Sequence, residues 1–138
     1  MGLPEIKSRI EKHRNQLLEA GELEMVMDSL RFEEALNHGQ LFFTEAKHRR
    51  IGKSSLILKK AAEEGVPVIV ETRSIRDFFR STCRDLELTV EIYALTEPLI
   101  GKDWRKGVYI DEVRSPYLAQ NLLPPGARIL GGSVYLSS

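Results

Sequence analysis

The chain has 138 residues, room for one hydrophobic core and too few for two substantial domains. Apolar residues make up 42% and charged residues 29%, a globular rather than disordered mix, and a formal net charge of zero confines any nucleic-acid surface to a local patch. Cys83 is the lone cysteine, which excludes an intrachain disulfide and a cysteine-rich metal site, and no signal peptide or membrane-length apolar run is visible.

Taken in order, residues 1–39 read as a helical extension packed on a core that spans 40–138. Ile6, Ile10 and Leu17 fall near one face of a first helix, with Glu5–Arg9 and Lys7–Glu11 spaced to pair on the exposed one. Gly21 stops it. A second helix follows, with Leu23, Val26, Met27 and Leu30 as its apolar stripe and Gly39 near its end. Both stripes are short, which favours packing on the domain over a partner-docking element.

From Gln40 onward, strands and helices alternate. Leu41–Glu45 is the first strand and Ser54–Glu64 the next helix, closed by Gly65. Val66–Thr72 is a Val/Ile-rich strand, its Pro67 suited to the first residues. Ser74 caps a helix with Asp77 in the reciprocal capping-box position, and Ile75, Phe78, Phe79, Thr82 and Leu86 form its core face. Thr89–Leu95 alternates as a strand, and a loop or short helix over 96–106 carries Trp104. Val108-Tyr109-Ile110-Asp111-Glu112 is a buried strand ending in two carboxylates. A helical turn around Pro116–Leu123 follows, and Pro124-Pro125-Gly126 breaks the chain. Arg128–Leu130 and Val134–Leu136 are separate pieces divided by Gly131-Gly132. This alternation predicts an α/β fold, a mostly parallel sheet flanked by helices with right-handed crossovers, in which ligands sit at the carboxyl ends of the strands. The cytoplasm is the expected compartment, with no membrane partner.

Two motifs fall at that end. Arg50-Ile51-Gly52-Lys53-Ser54-Ser55 sits between an apolar strand and a helix, where unpaired N–H groups and the helix dipole suit a phosphate. The other is the Asp111-Glu112 pair. Together, in this order, they resemble the Walker A loop and Walker B strand of the P-loop NTPases. The resemblance covers roughly residues 40–138. One departure stands out: the pattern G-x-x-x-x-G-K-[ST] has glycine five residues before Gly52, and this chain has Lys47, which implies a wider turn.

The resemblance implies that residues 51–55 (Ile51, Gly52, Lys53, Ser54, Ser55) bind a nucleoside triphosphate, ATP with Mg2+, that Ser54 and Asp111 hold the magnesium, and that Glu112 activates the attacking water. Loops rich in arginine before Gly-Lys-Ser are also similar to those of viral DNA-packaging motors, where a loop arginine acts as a charge-stabilising finger. That makes Arg49 and Arg50 catalytic candidates; the other readings of Lys47–Arg50 are a solvated basic loop or a grip on nucleic-acid backbone. Arg114 is a second finger candidate, or a surface charge. Ser133 falls where such families carry a polar sensor, or is simply the serine of a Gly-Gly turn. Trp104 and Tyr109 read more safely as core tryptophan and strand tyrosine than as base-stacking groups. The implied function is an ATPase core in a phage or mobile-element nucleic-acid process, with a homo-oligomer expected from motors that complete their sites between subunits. The alternatives are a non-hydrolysing P-loop module and a nucleic-acid or partner-binding protein using loop 47–50. No Asn-Lys-x-Asp run marks guanine.

Overall fold

Strands rich in Val and Ile, each buried on both faces, dictate the centre of the molecule. A computed structural model describes residues 3–45, 48, 51–99, 104–114, 119–121, 123 and 127–135. Its elements are α1 (Leu3–Glu19), α2 (Leu23–Asn37), β1 (Leu41–Thr44), α3 (Lys53–Glu64), β2 (Val68–Val70), α4 (Arg73–Asp85), β3 (Ile92–Ala94), β4 (Val108–Val113) and β5 (Ile129–Tyr135). The five strands form one sheet in the order β1-β5-β4-β2-β3, and every pairing is parallel. All carboxyl ends therefore lie along one edge, the edge from which the chain leaves β1 toward α3 and β2 toward α4. The fold is the expected α/β architecture, a parallel sheet flanked by helices. Among the described residues no helix is long and apolar enough to cross a membrane.

Alternation along the strands splits the core in two. Val68, Val70, Ile92, Ala94 and Tyr109 pack with Ile6, Ile10, Phe32, Leu36, Ile57, Phe79 and Leu86 from α1 to α4 and the turn after α4. Ile69, Val108, Ile110 and Val113 join Trp104, Ala119, Leu123, Ala127 and Val134 in the second cluster. The N-terminal helices belong to the first cluster. Arg14 of α1 ties them together, donating from Nε to Ser29 Oγ (3.0 Å) and from Nη2 to Glu33 Oε1 (2.8 Å) on α2.

Several expected details change. On α2 the buried positions are Val26, Asp28, Ser29, Phe32 and Leu36, while Leu23, Met27 and Leu30 are exposed. Packing against β1 and α3 overrides the longer apolar stripe. On α4 and at its C-cap, Phe79, Cys83 and Leu86 fill the core and Phe78 is 68% exposed. The cap of α4 is Thr72, whose Oγ1 accepts from Ile75 N–H (3.3 Å), so Ser74 sits inside the helix. The pieces around Gly131-Gly132 are one continuous strand, β5. Trp104 is buried and donates from Nε1 to the Leu99 carbonyl; Tyr109 is a buried strand residue whose hydroxyl donates to Glu64. Burial and the Glu64 carboxylate push the Tyr109 phenol well above its usual range.

Candidate functional site

The site is assembled by an irregularity in β4. In a regular strand, consecutive side chains point to opposite faces, so Asp111 and Glu112 could not both reach α3. The β4–β5 register breaks between Ile110 and Val113, and Glu112 carries a positive φ of 52°. A β-bulge of this kind inserts an extra residue and re-aims side chains. Asp111 keeps the face of Tyr109, Glu112 occupies the kink, and Val113 returns to the face of Ile110. Both carboxylates end on the first turn of α3.

The contacts are direct. Ser54 Oγ donates to Asp111 Oδ2 at 3.0 Å. Lys53 Nζ stands 2.5 Å from Glu112 Oε1 in an ion pair whose lysine is nearly buried. Ser133, fully buried on β5, donates to Asp111 Oδ1 at 2.8 Å and accepts from Glu112 N–H at 2.7 Å, the amide that the bulge withdraws from the ladder. Ser133 is therefore in mid-strand, not in a turn. Its position depends on Gly132, where φ is 126° and a Cβ would stand 1.8 Å from the Ile110 carbonyl oxygen. Only glycine lets β5 approach β4 so closely.

Asp111 is 2% exposed. Burial pushes its carboxyl well above the usual range; the Lys53 ammonium and the Ser133 and Ser54 hydroxyls oppose that push, and Glu112 adds to it. The set Lys53, Asp111 and Glu112 thus carries more negative than positive charge when ionised, and it sits in a partly desolvated pocket.

The loop end is equally defined. Gly52 caps α3 in the left-handed region (φ 79°), and the first helical bond runs from Leu56 N–H to the Gly52 carbonyl at 3.2 Å. The N–H groups of Lys53, Ser54 and Ser55 are left without intrahelical partners, as at any helix start. Ile51 is buried in the first core cluster and anchors the loop. Before it, His48 Nδ1 accepts from Glu45 N–H at 2.9 Å, which leaves the ring proton on Nε2, 3.7 Å from Asp28 on α2. Phe42 meets the imidazole edge-on. Lys47, Arg49 and Arg50 lie outside the described residues, so their roles rest on sequence alone.

Two cavities share the loop. One, of about 530 Å³, is lined by Lys53, Glu71, Thr72, Ile75, Glu112, Arg114 and Tyr135. The other, of about 340 Å³, lies between α1 and the start of α3. A third, of about 360 Å³ around Gly65, Pro67 and Glu91, is at the opposite, amino-terminal edge and holds none of the carboxylates above. Glu71 carries no signal of its own in the sequence, where it falls inside the strand expected over Val66–Thr72; the observed strand ends at Val70. It follows the register pair Val70↔Asp111, and its Oε2 accepts from Arg114 N–H at 3.3 Å.

Magnesium fits the donor set. Among the described residues no three His, Cys, Asp or Glu side chains cluster as a metal cage. Magnesium, however, binds through one or two hard oxygen ligands plus water and substrate phosphates. The Ser54 hydroxyl and the Asp111 carboxylate, already 3.0 Å apart, supply such oxygens beside an ammonium suited to phosphate.

Comparison of the chain with protein-family models, characterised proteins and solved structures yields no match to any of the three.

Proposed function

We propose that the protein is a P-loop-type nucleotide-binding protein that takes a magnesium nucleoside triphosphate, ATP in the first instance, at the junction of α3, β4 and β5. The observation that supports this best is the bulge at Asp111-Glu112, which brings two consecutive carboxylates onto Lys53 and Ser54. Ser133, between them and β1, adds the polar group expected of a sensor.

In this reading the α3 amides and Lys53 bind the phosphate chain. Ser54 and Asp111 hold magnesium, which when bound neutralises charge on the outer phosphates. Lys53 moves from Glu112 to the phosphate oxygens as the nucleotide enters. Glu112, released, accepts a hydrogen bond from a water aligned with the terminal phosphorus. The water oxygen bonds to that phosphorus as the bridging P–O bond breaks, the diphosphate leaves, and the water proton passes to Glu112. Arg49 or Arg50 supplies the finger that stabilises the transferring group.

The Lys53–Glu112 pair also favours a second reading, a nucleotide-binding module without turnover, since Glu112 is no base while the pair holds. Nucleotide titration of wild type and Lys53→Ala, with and without Mg2+, tests binding. The expected loss is at least about tenfold, the scale of a charge-assisted contact of 1.5–3 kcal/mol. Equal affinity in both proteins refutes the site. Glu112→Gln is expected to keep binding and lose hydrolysis; a wild type without turnover, with DNA or RNA present, selects the inert module.

A further inference from the structure

The helical pitch of α3 divides its first turn between two sides. Successive residues rotate by about 100°. Lys53 and Ser54 face the sheet, where they meet Glu112 and Asp111, so Gly52 and Ser55 turn away from it. What they turn toward is α1. Arg9, Ile10 and His13 line the cavity of about 340 Å³ whose other wall is Gly52 and Ser55. A Cβ built on Gly52 would stand 3.7 Å from His13 Cδ2, so the imidazole edge faces the loop with room for about one methyl group between them.

The two cavities at the loop differ in chemistry. The sheet-side one carries Lys53, Glu71, Glu112 and Arg114, groups suited to outer phosphates, metal and water. Among the described residues no carboxylate lines the α1-side one. Its lining is an aliphatic floor (Ile10), a planar imidazole (His13) and an exposed guanidinium (Arg9) that makes no hydrogen bond or ion pair among the described residues. Its volume lies within the range of small-ligand pockets. A planar aromatic ring is matched by aliphatic, imidazole and guanidinium surfaces, which stack on it without reading a particular base.

We infer that the cavity between α1 and the α3 start, lined by Arg9, Ile10 and His13, is the nucleoside subsite of the nucleotide whose phosphates α3 binds. The inference rests on the proposed phosphate site and gives α1 a function beyond packing: it is one wall of the ligand pocket. Recognition there is by stacking, so purine triphosphates of either kind are accommodated.

The test compares ATP and GTP with inorganic tripolyphosphate, all with Mg2+, on wild type, Arg9→Ala, His13→Ala and Lys53→Ala. Wild type is expected to bind the nucleotides more tightly than tripolyphosphate. Arg9→Ala and His13→Ala are each expected to weaken nucleotide binding about fivefold or more, the scale of one base-stacking contact. Tripolyphosphate affinity should stay unchanged in both, which also shows that they fold. Lys53→Ala should weaken all three ligands. Equal losses for nucleotide and tripolyphosphate in Arg9→Ala would make Arg9 a phosphate contact and overturn the subsite. So would wild type binding nucleotides no better than tripolyphosphate. If Lys53→Ala changes nothing, the phosphate site itself fails, a result distinct from the loss of the subsite alone.

Discussion

Removing one hydroxyl should weaken the whole site. Ser133 has no solvent exposure, and its Oγ joins the Asp111 carboxylate to the Glu112 amide. In Ser133→Ala, a buried carboxylate oxygen loses a donor and a partly buried N–H loses its acceptor, with no room for a replacing water in a fully packed strand. A hydrogen bond to a charged group contributes about 1.5–3 kcal/mol and a stranded amide costs about 1–3 kcal/mol, with partial relaxation between them. The expected destabilisation is about 2–4 kcal/mol, or roughly 6–12 °C in melting temperature for a chain of this size. Ser54→Ala is the comparison: its hydroxyl makes one bond to Asp111 from a half-buried position, where water can replace it, and about 1 kcal/mol is expected. Urea denaturation of the three proteins with a chelator present measures both. The Ser133 bond holds the Asp111 carboxyl down against burial, so the loss in Ser133→Ala should be larger at neutral pH than in acid, where Asp111 is protonated. A loss below about 0.5 kcal/mol, or one no greater than in Ser54→Ala, would mean that Ser133 does not hold the bulge.

Asp111→Asn is expected to stabilise the chelated protein at neutral pH while removing magnesium-dependent nucleotide binding. A carboxyl raised in the folded state contributes stability that is complete below its unfolded pKa of about 4 and is lost as pH rises toward the folded value. The advantage of the variant should therefore grow with pH above about 4, and a pH-independent difference in denaturation midpoint would contradict the assignment. On α4, Phe79→Ala should cost about 3–5 kcal/mol and Phe78→Ser less than about 0.5 kcal/mol, because only the first ring is buried. Equal denaturation midpoints for the two variants would reject the observed helix rotation.

Local chemistry was legible in the sequence where one segment determines it. The apolar runs of β2 and β4, the glycine that starts α3 and the helix–strand alternation follow from short-range pattern, and they suffice for a parallel sheet with both motifs at its carboxyl edge. Features set by distant partners were not legible. Phe78 and Phe79 are equally apolar neighbours, and the choice between them lies with Cys83 and Leu86 one and two turns on, at positions where Thr82 suggested another face. Asp28 and Ser29 are buried on α2 because Arg14, Arg31 and His48 lie against them. The bulge at Glu112 is dictated by β5, twenty residues later. A signal for it existed: two glycines flanked by Ile129-Leu130 and Val134 mark close backbone approach in a strand as readily as a turn. Read that way, Ser133 moves from a turn into the sheet, beside Asp111.

The charge balance of the assembled site also orders its events. Among the described residues Lys53 is the ammonium that faces Asp111 and Glu112, and these three groups when ionised leave one negative charge unbalanced. A bare triphosphate would meet two carboxylates and one ammonium already paired at 2.5 Å. Coulomb repulsion in a partly desolvated pocket opposes that encounter. In the proposed function, a triphosphate that arrives with magnesium brings a cation to Asp111 and offers Lys53 oxygens in exchange for Glu112. Exchange of partners, rather than creation of a new charge, would in that function be the step that binds the nucleotide. On the proposed function the same exchange frees Glu112 only when phosphate is present, so the carboxylate proposed to activate water is available only with the nucleotide in place.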